Sequence, residues 1–351
     1  MDREICMRRR DFIALLGGAA AAWPLGARAA VGDPVIGFLG SGAPGANSQA
    51  VASFRQGLFE AGYIDGVMAR QLTARGKRYA AVDVTIEFRW ANSQESLLPR
   101  LAAELARRQP AVIVTQGASS AALAAKAATT TIPIIFVSAD DPVKTGLVAS
   151  LERPGGNVSG VTSLRPDILQ ARLELLLELV PQAGKVGYLS GPSNSPASQD
   201  SKGEAVAAGK DLGREIIVSE VQGRDFEAAF ASLVAQQAGA LMIDDSASFA
   251  EDRNRSKIVE LAARHKIPAI YPARGYAASG GLMSYETDLA ALLHEVGYNY
   301  VGLILDGSKR PADMPVKQPN KFELVLNLKT AKTLGLTIPP ELRSRATEVL
   351  G

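Results

Sequence analysis

The chain has 351 residues and an almost balanced charge, with 38 lysines and arginines against 36 aspartates and glutamates. Residues 1–29 hold five of the basic and three of the acidic side chains, so the remaining 322 residues carry 33 of each. A neutral chain lacks the overall positive field that holds nucleic acid or an anionic membrane, and we expect neither as a partner. The length exceeds what one hydrophobic core usually spans and predicts two lobes.

The first 29 residues follow the pattern of an export signal. Three arginines at 8–10 precede an apolar run over 12–25 and a small-x-small cleavage site at 27–29. The adjacent arginines are typical of the twin-arginine route, and the apolar run is shorter than the ~20 residues of a membrane span. We therefore predict a twin-arginine signal peptide over 1–29, a periplasmic location, and a mature protein without Cys6, the only cysteine.

Short apolar runs alternate with amphipathic stretches from residue 35 to about residue 137, which predicts βαβ units on a parallel sheet. The predicted strands are 35–40, 84–90, 111–115 and 133–137, and the predicted helices are 50–62, 97–108 and 118–129. Residues 140–164 lack either periodicity for much of their length, and we interpret them as the passage into a second lobe.

The alternation then restarts. Helices are predicted at 168–180, 200–212, 226–236, 254–265, 289–305 and 330–334, and strands at 185–189, 215–221, 240–243, 268–271, 281–285 and 322–327. The expected fold class is α/β, with two doubly wound parallel-sheet lobes joined by a hinge. Lobe 1 is assigned to 33–142 plus about 285–307, and lobe 2 to about 143–284 plus about 316–351.

Ligands of open parallel sheets bind just beyond the carboxyl ends of the strands, and two lobes can close on a ligand by a hinge motion. The residues after the predicted strands are small hydroxyls, glycines and a few carboxylates, which suit a neutral or zwitterionic small molecule. The candidate ligand-binding residues are Gly40, Ser41, Gly42, Gln116, Gly117, Ser119, Ser138, Asp140, Asp141, Asn194, Asp244 and Tyr271.

Opposite charges of a ligand would need different parts of this set. A ligand carboxylate fits the helix N-terminus at 117–120, whereas an ammonium needs Asp140, Asp141, Asp244 or Asp245. Taken singly, each residue is better explained as a helix cap or a turn glycine, so the prediction depends on the whole set lying at strand ends.

Motifs for cofactor or metal chemistry are missing from the sequence. It contains no Gly-x-Ser-x-Gly elbow and no phosphate-binding loop, and its two histidines, His265 and His294, have no neighbours at metal-ligand spacing. We expect no cofactor, no metal and no catalytic residue.

Ten segments resemble one known family: 35–39, 54–58, 61–63, 88–91, 127–134, 141–148, 153–162, 267–271, 280–285 and 321–327. They are similar to the ABC-transporter substrate-binding proteins related to the tryptophan/tyrosine-binding TrpX group, particularly the α-proteobacterial set. The resemblance implies a type I periplasmic-binding-protein fold. It also implies that Tyr285 faces the cleft, together with Asp141, Tyr271 and the loops at Gly40 and Gly117.

One segment departs from the family pattern. Residues 67–82 stand where relatives pass almost directly into the next strand, and they carry four basic residues and no acid. We interpret this insertion as a solvated surface feature away from the cleft.

The sequence thus predicts a monomeric periplasmic solute-binding component of an ABC importer. It would capture a small polar or amino-acid-like ligand and deliver it unchanged to an ABC permease in the inner membrane. Two alternatives stay open: a sensor that presents its ligand to a membrane receptor, and a periplasmic α/β enzyme that uses neighbouring carboxylates.

Overall fold

The computed structural model describes residues 32–45, 48–163, 167–191 and 196–351. The predicted signal peptide over 1–29, Cys6 and the candidate residue Asn194 lie outside the described residues.

The first sheet contains six parallel strands in the order β2-β3-β1-β4-β5-β6. Its inner strands are apolar on both faces, as expected for a sheet covered by helices on each side. The strands are β1 Val35–Gly40, β2 Tyr63–Asp65, β3 Val82–Trp90, β4 Val112–Gly117, β5 Ile134–Ser138 and β6 Val158–Thr162. The helices between them are α1 Ser48–Glu60, α2 Gly66–Ala74, α3 Leu98–Arg107 and α4 Ser119–Ala128, with a 3-10 turn at Glu95–Leu97.

The second sheet contains seven strands in the order β13-β12-β11-β10-β9-β7-β8, and only the β11–β12 pair is antiparallel. Its strands are β7 Lys185–Ser190, β8 Glu215–Glu220, β9 Ala240–Ile243, β10 Ala269–Tyr271, β11 Met283–Thr287, β12 Phe322–Asn327 and β13 Glu348–Leu350. The helices up to β11 are α5 Ile168–Leu179, α6 Pro196–Asp211, α7 Phe226–Ala235, α8 Ala247–Ala250, α9 Asp252–Arg264 and α10 Arg274–Ala278.

After β11 the chain returns to the first sheet before it completes the second. The returning helix consists of α11 Leu289–Glu295, a π-helical stretch Val296–Val301 and α12 Gly302–Leu305. A 3-10 turn at Pro311–Asp313 follows, and α13 Leu328–Thr333 and α14 Pro340–Arg345 lie between β12 and the last strand, β13.

Three chain segments connect the sheets and are hydrogen-bonded to one another. The Thr287 hydroxyl donates to the Ser163 carbonyl (3.3 Å), and the Asp288 amide donates to the Lys321 carbonyl (3.1 Å). Lys317 pairs alongside β6, where its carbonyl accepts from the Thr162 amide (2.9 Å). The two lobes are therefore joined by three chain segments that hydrogen bonds hold together.

The predicted fold class, two mostly parallel, doubly wound α/β lobes, is confirmed. Several elements were not predicted: β6, inside the segment interpreted as irregular; β2 and α2, at and inside the insertion; and the last helix and strand. Because β6 belongs to the first sheet, sheet membership favours a crossing after Thr162 rather than at 142–143, and the division into domains stays a proposal.

The returning helix approaches α1 so closely that two glycines are required. A Cβ added to Gly57 would lie 2.2 Å from the His294 carbonyl oxygen, and one added to Gly297 would lie 2.4 Å from the Phe54 carbonyl oxygen. The contact between α1 and the returning helix therefore depends on backbone packed against backbone.

We expect Gly57→Ala to lower the free energy of unfolding by about 1–3 kcal/mol, because the new methyl group overlaps a backbone that cannot move alone. Gly203→Ala is the matched control, since an added Cβ in exposed α6 meets no atom within 4 Å. It should stabilise the protein by about 0.5–1 kcal/mol through helix propensity. Urea unfolding followed by circular dichroism measures both, and equal effects of the two variants would contradict the prediction.

Candidate ligand-binding site

The first half of the candidate site is a polar network at the carboxyl ends of β4 and β5. The hydroxyls of Ser119 and Ser138 are 2.9 Å apart, and both side chains are buried. The Asp140 carboxylate accepts from the Ser119 amide at 2.9 Å, and the Asp140 amide donates to the Ser138 hydroxyl at 3.2 Å. The structure therefore brings three of the predicted residues together as a cap on α4.

This cap fills the position that the sequence offered to a ligand carboxylate. The Ala118 amide donates to the Ser41 hydroxyl (3.2 Å), and the next amide, of Ser119, is bound to Asp140. A second anion at this helix N-terminus would meet the Asp140 charge and find two of its donors used. The first lobe is thus better suited to a neutral or positive part of a ligand.

Close packing explains two of the predicted glycines. Gly117 has a φ of +110°, and an added Cβ would lie 1.9 Å from the Ser41 hydroxyl oxygen. A Cβ on Gly40 would lie 2.1 Å from the Trp90 ring, which stacks on Phe88 at a centroid distance of 6.0 Å. These glycines let the loops after β1, β3 and β4 meet at one edge of the sheet.

The remaining predicted residues of the first lobe lie around this edge. The Ser41 and Gly42 carbonyls accept from the amides of residues 93 and 92. One carboxylate oxygen of Asp141 accepts from the Val143 and Lys144 amides at 2.8 and 3.1 Å, which closes a turn. Gln116 is buried, and its side-chain oxygen has no partner among the described residues.

The second half of the site lies at the carboxyl ends of β7 and β9. Asp244 is buried and accepts from the Tyr188 hydroxyl at 2.7 Å and from the Gly191 amide at 3.3 Å. Burial raises the pKa of Tyr188, and the neighbouring Asp244 raises it further, so its phenol stays a donor. Asp244 is therefore occupied in holding these two strand ends together.

The two predicted tyrosines have different surroundings. Tyr271 is only 1% exposed and stacks on Tyr276 at 5.0 Å, so its ring belongs to the core of lobe 2. Tyr285 is half-buried and stacks on Phe322 at 5.5 Å. Of the two rings, only that of Tyr285 is open to solvent.

Sequence reasoning missed Arg172, which reaches the same edge from α5. Its side chain is 3% exposed, and it donates from Nε to the Tyr285 carbonyl (2.9 Å) and from Nη2 to the Pro272 carbonyl (3.3 Å). Burial lowers the pKa of its guanidinium, and Asp245 is the strongest opposing influence. The sequence does contain a signal that Arg172 is buried. It lies three residues after buried Leu169 and four before buried Leu176, on an otherwise apolar helix face.

Two further acids face Arg172. Asp245 is exposed to solvent, yet enough protein surrounds its carboxylate that burial raises its pKa. Burial also raises the pKa of Glu286 to about 7, although the Arg274 amide donates to its carboxylate. This edge of lobe 2 therefore combines one buried cation with several carboxylates.

The two lobes interact electrostatically across this region. Burial raises the pKa of Glu204 on α6, and Asp200 raises it further. Lys144, from the loop after β5 in the first lobe, opposes this shift. The loop that Asp141 closes is therefore near the helix that follows β7.

Two surface grooves lie elsewhere. One of about 460 Å³ runs between α7 and α9, and Lys257, one of its three cations, is paired with Glu227 at 2.6 Å. The other, of about 430 Å³, lies between α3 and α4 at their carboxyl ends. Neither includes any of the predicted ligand-binding residues.

Within the described ranges, no three His, Cys, Asp or Glu side chains are grouped so that they could hold a metal ion. None of the helices in that part of the chain is both long and apolar enough to cross a bilayer.

The comparisons with known proteins agree with this architecture. The model of the ABC transporter substrate-binding protein family matches residues 62–350, so the chain belongs to that family. A curated tyrosine-binding protein from Clostridioides difficile (strain R20291) is 32% identical over 218 residues, which are 61% of this chain. The match spans 60% of that relative's length.

Solved structures show the same fold. A ligand-free, open substrate-binding protein with adhesive properties from Clostridium difficile superposes with a TM-score of 0.72 at 23% identity, covering 90% of this chain and 99% of its own. An ABC domain from Streptococcus pneumonia in complex with L-Trp gives 0.68 at 23% identity, covering 91% of this chain and all of its own.

Glu286 gives the candidate site a pH dependence. Its pKa is about 7 in the fold against an ordinary 4.5, so the native state binds the proton more tightly. The stability contributed by the protonated form is present at low pH and is lost as the pH rises from 4.5 through about 7.

We expect Glu286→Gln to be close to neutral at pH 5 and to stabilise the protein at pH 8 by about 1–3 kcal/mol, because the variant has no charge to bury. Urea unfolding at both pH values measures this difference, with exposed Glu152→Gln as the control substitution. An equal effect of Glu286→Gln at pH 5 and pH 8 would show that ionisation of Glu286 does not affect the free energy of unfolding.

Proposed function

We propose that the protein is the periplasmic solute-binding component of an ABC importer. It takes a zwitterionic, amino-acid-like ligand between its two lobes, without chemistry, and delivers it to a permease as a monomer. The observation that carries this proposal is the pair of polar strand-end clusters, one in each lobe, joined by three hydrogen-bonded crossing segments.

Several findings support the ligand class. The strand ends combine small hydroxyls, carboxylates and a buried arginine, which together can neutralise both charges of a zwitterion. Relatives point the same way: one is named a tyrosine-binding protein, and a structural neighbour is a complex with L-Trp. The export-signal pattern of 1–29 supports the periplasmic location, since substrate-binding proteins of ABC transporters typically act outside the cytoplasmic membrane.

Isothermal titration calorimetry of the purified protein with the twenty L-amino acids and with benzoate tests the binding role. We expect at least one amino acid to bind, and its presence at 100 times Kd should stabilise the fold by about 2.7 kcal/mol. The ligand should be recovered unchanged by chromatography after prolonged incubation. Consumption of the ligand would favour the enzyme alternative. If none of the compounds binds, the proposed ligand class is rejected.

Uptake of the radiolabelled ligand in cells with and without the protein tests the importer role. We expect uptake at submicromolar concentration to fall at least tenfold when the protein is absent. Unchanged uptake, together with intact binding in vitro, would favour the sensor alternative.

A further inference from the structure

Arg172 is a buried cation without an ionic partner in the described part of the chain. Its side chain is 97% buried, and no carboxylate oxygen of the described residues lies within the 4.0 Å of a salt bridge. Buried charges in proteins are almost always paired, because an isolated ion away from water is strongly unfavourable. A guanidinium at a strand-end edge with no carboxylate this close among the described residues can take the carboxylate of a ligand.

The guanidinium has unused donors in the right arrangement. The Tyr285 and Pro272 carbonyls take one N–H of Nε and one of Nη2. The two N–H groups of Nη1 and the second of Nη2 have no acceptor among the described residues. This remaining edge is the fork that binds a carboxylate in a bidentate manner.

Asp245 supplies the opposite charge beside Arg172. It contributes the largest attraction to the arginine, is exposed to solvent, and has no hydrogen-bond partner among the described residues. Its neighbour Asp244 differs, because the Tyr188 hydroxyl and the Gly191 amide already occupy that carboxylate. Asp245 is thus the acid of this pair that is free to receive a ligand cation.

In the first lobe, the N-terminus of α4 is already occupied by the protein's own side chains. Asp140 holds the Ser119 amide at the N-terminus of α4, and Ser41 holds the amide before it. We therefore look for the ligand carboxylate in the second lobe, whereas the sequence pattern placed it at 117–120.

We propose that Arg172 and Asp245 bind the zwitterionic end of an α-amino acid, with the carboxylate on the Nη atoms of Arg172 and the ammonium on Asp245. This assignment rests on the proposed function and names the two residues that select a zwitterion over a simple acid or amine. Arg172 also holds the ends of β10 and β11 through the two carbonyls, so ligand binding is coupled to the strand ends next to the hinge.

Ligand analogues that lack one charge test each residue separately. The probes are L-tyrosine and L-leucine, their amides, which lack the carboxylate, and the deaminated acids 3-(4-hydroxyphenyl)propionate and 4-methylpentanoate, which lack the ammonium. With the wild-type protein we expect each analogue to bind at least 100-fold more weakly than its parent amino acid in calorimetry.

The variants should then respond selectively. Arg172→Gln should weaken the amino acid about 100-fold but the amide less than threefold, because the amide does not use the guanidinium. Asp245→Asn should weaken the amino acid strongly but leave the deaminated acid nearly unchanged. Arg172→Lys, which keeps the charge without the fork, should restore part of the lost affinity.

Matched controls separate binding from folding. Arg345→Gln removes an exposed arginine paired with Glu178, and Asp211→Asn removes an exposed aspartate at the end of α6; both should bind like the wild type. If Arg172→Gln does not fold, Arg172→Lys and Asp245→Asn measured with the same analogues decide the question.

The outcomes distinguish the two proposals. Equal losses for amino acid and amide in the Arg172 variants, or no loss, would overturn the Arg172 assignment while the solute-binding function stands. Equal losses for amino acid and deaminated acid in Asp245→Asn would overturn the Asp245 assignment in the same way. If neither amino acid binds the wild-type protein, the zwitterion pair is rejected for these ligands, and the screen of amino acids decides the function.

Discussion

The three crossing segments are the constraint on which the rest of the structure depends. The Thr287 hydroxyl, the Asp288 amide and the Lys317 carbonyl tie these segments to one another, so the connection between the two sheets is itself hydrogen-bonded. Each lobe keeps its own buried core. Such a connection favours rotation of one lobe against the other over deformation within a lobe, because packed cores resist shear while a narrow hydrogen-bonded hinge can bend.

The two strand-end clusters differ in how far the protein itself satisfies their charged groups. In the first lobe the acids are satisfied by the protein itself, as when Asp140 caps α4 and Asp141 closes the following turn. In the second lobe Asp244 is satisfied in the same way. Among the described residues, Arg172 has two carbonyl partners but no carboxylate within salt-bridge distance, and Asp245 has no hydrogen-bond partner. Of these charged groups, those with unused hydrogen-bonding capacity lie in the second lobe.

Much of the fold was predictable because parallel strands that are buried on both faces appear as continuous apolar runs. β1, β4, β5 and β9 are of this kind, and their predicted bounds lie within two residues of the structure. β6 was missed because Val158–Thr162 is short, contains Gly160 and Ser159, and follows a turn-rich stretch. α2 lies in the segment interpreted as a solvated surface feature, and none of its residues is buried.

The candidate site was only partly predictable, for a related physical reason. Strand-end residues such as Ser119 and Asp140 follow from chain order, since the carboxyl ends of parallel strands share one edge. Arg172 does not follow from it, because it enters that edge from the side of a helix. The sequence signal for Arg172 is the free-energy cost of burying it. A cation on the buried helix face between Leu169 and Leu176 is unfavourable unless other interactions replace its lost hydration. Two carbonyl hydrogen bonds replace only part of that hydration, and under our proposal a ligand carboxylate replaces more of it. A buried cation of this kind destabilises the empty protein, and compensation on ligand binding would account for its position at the strand-end edge.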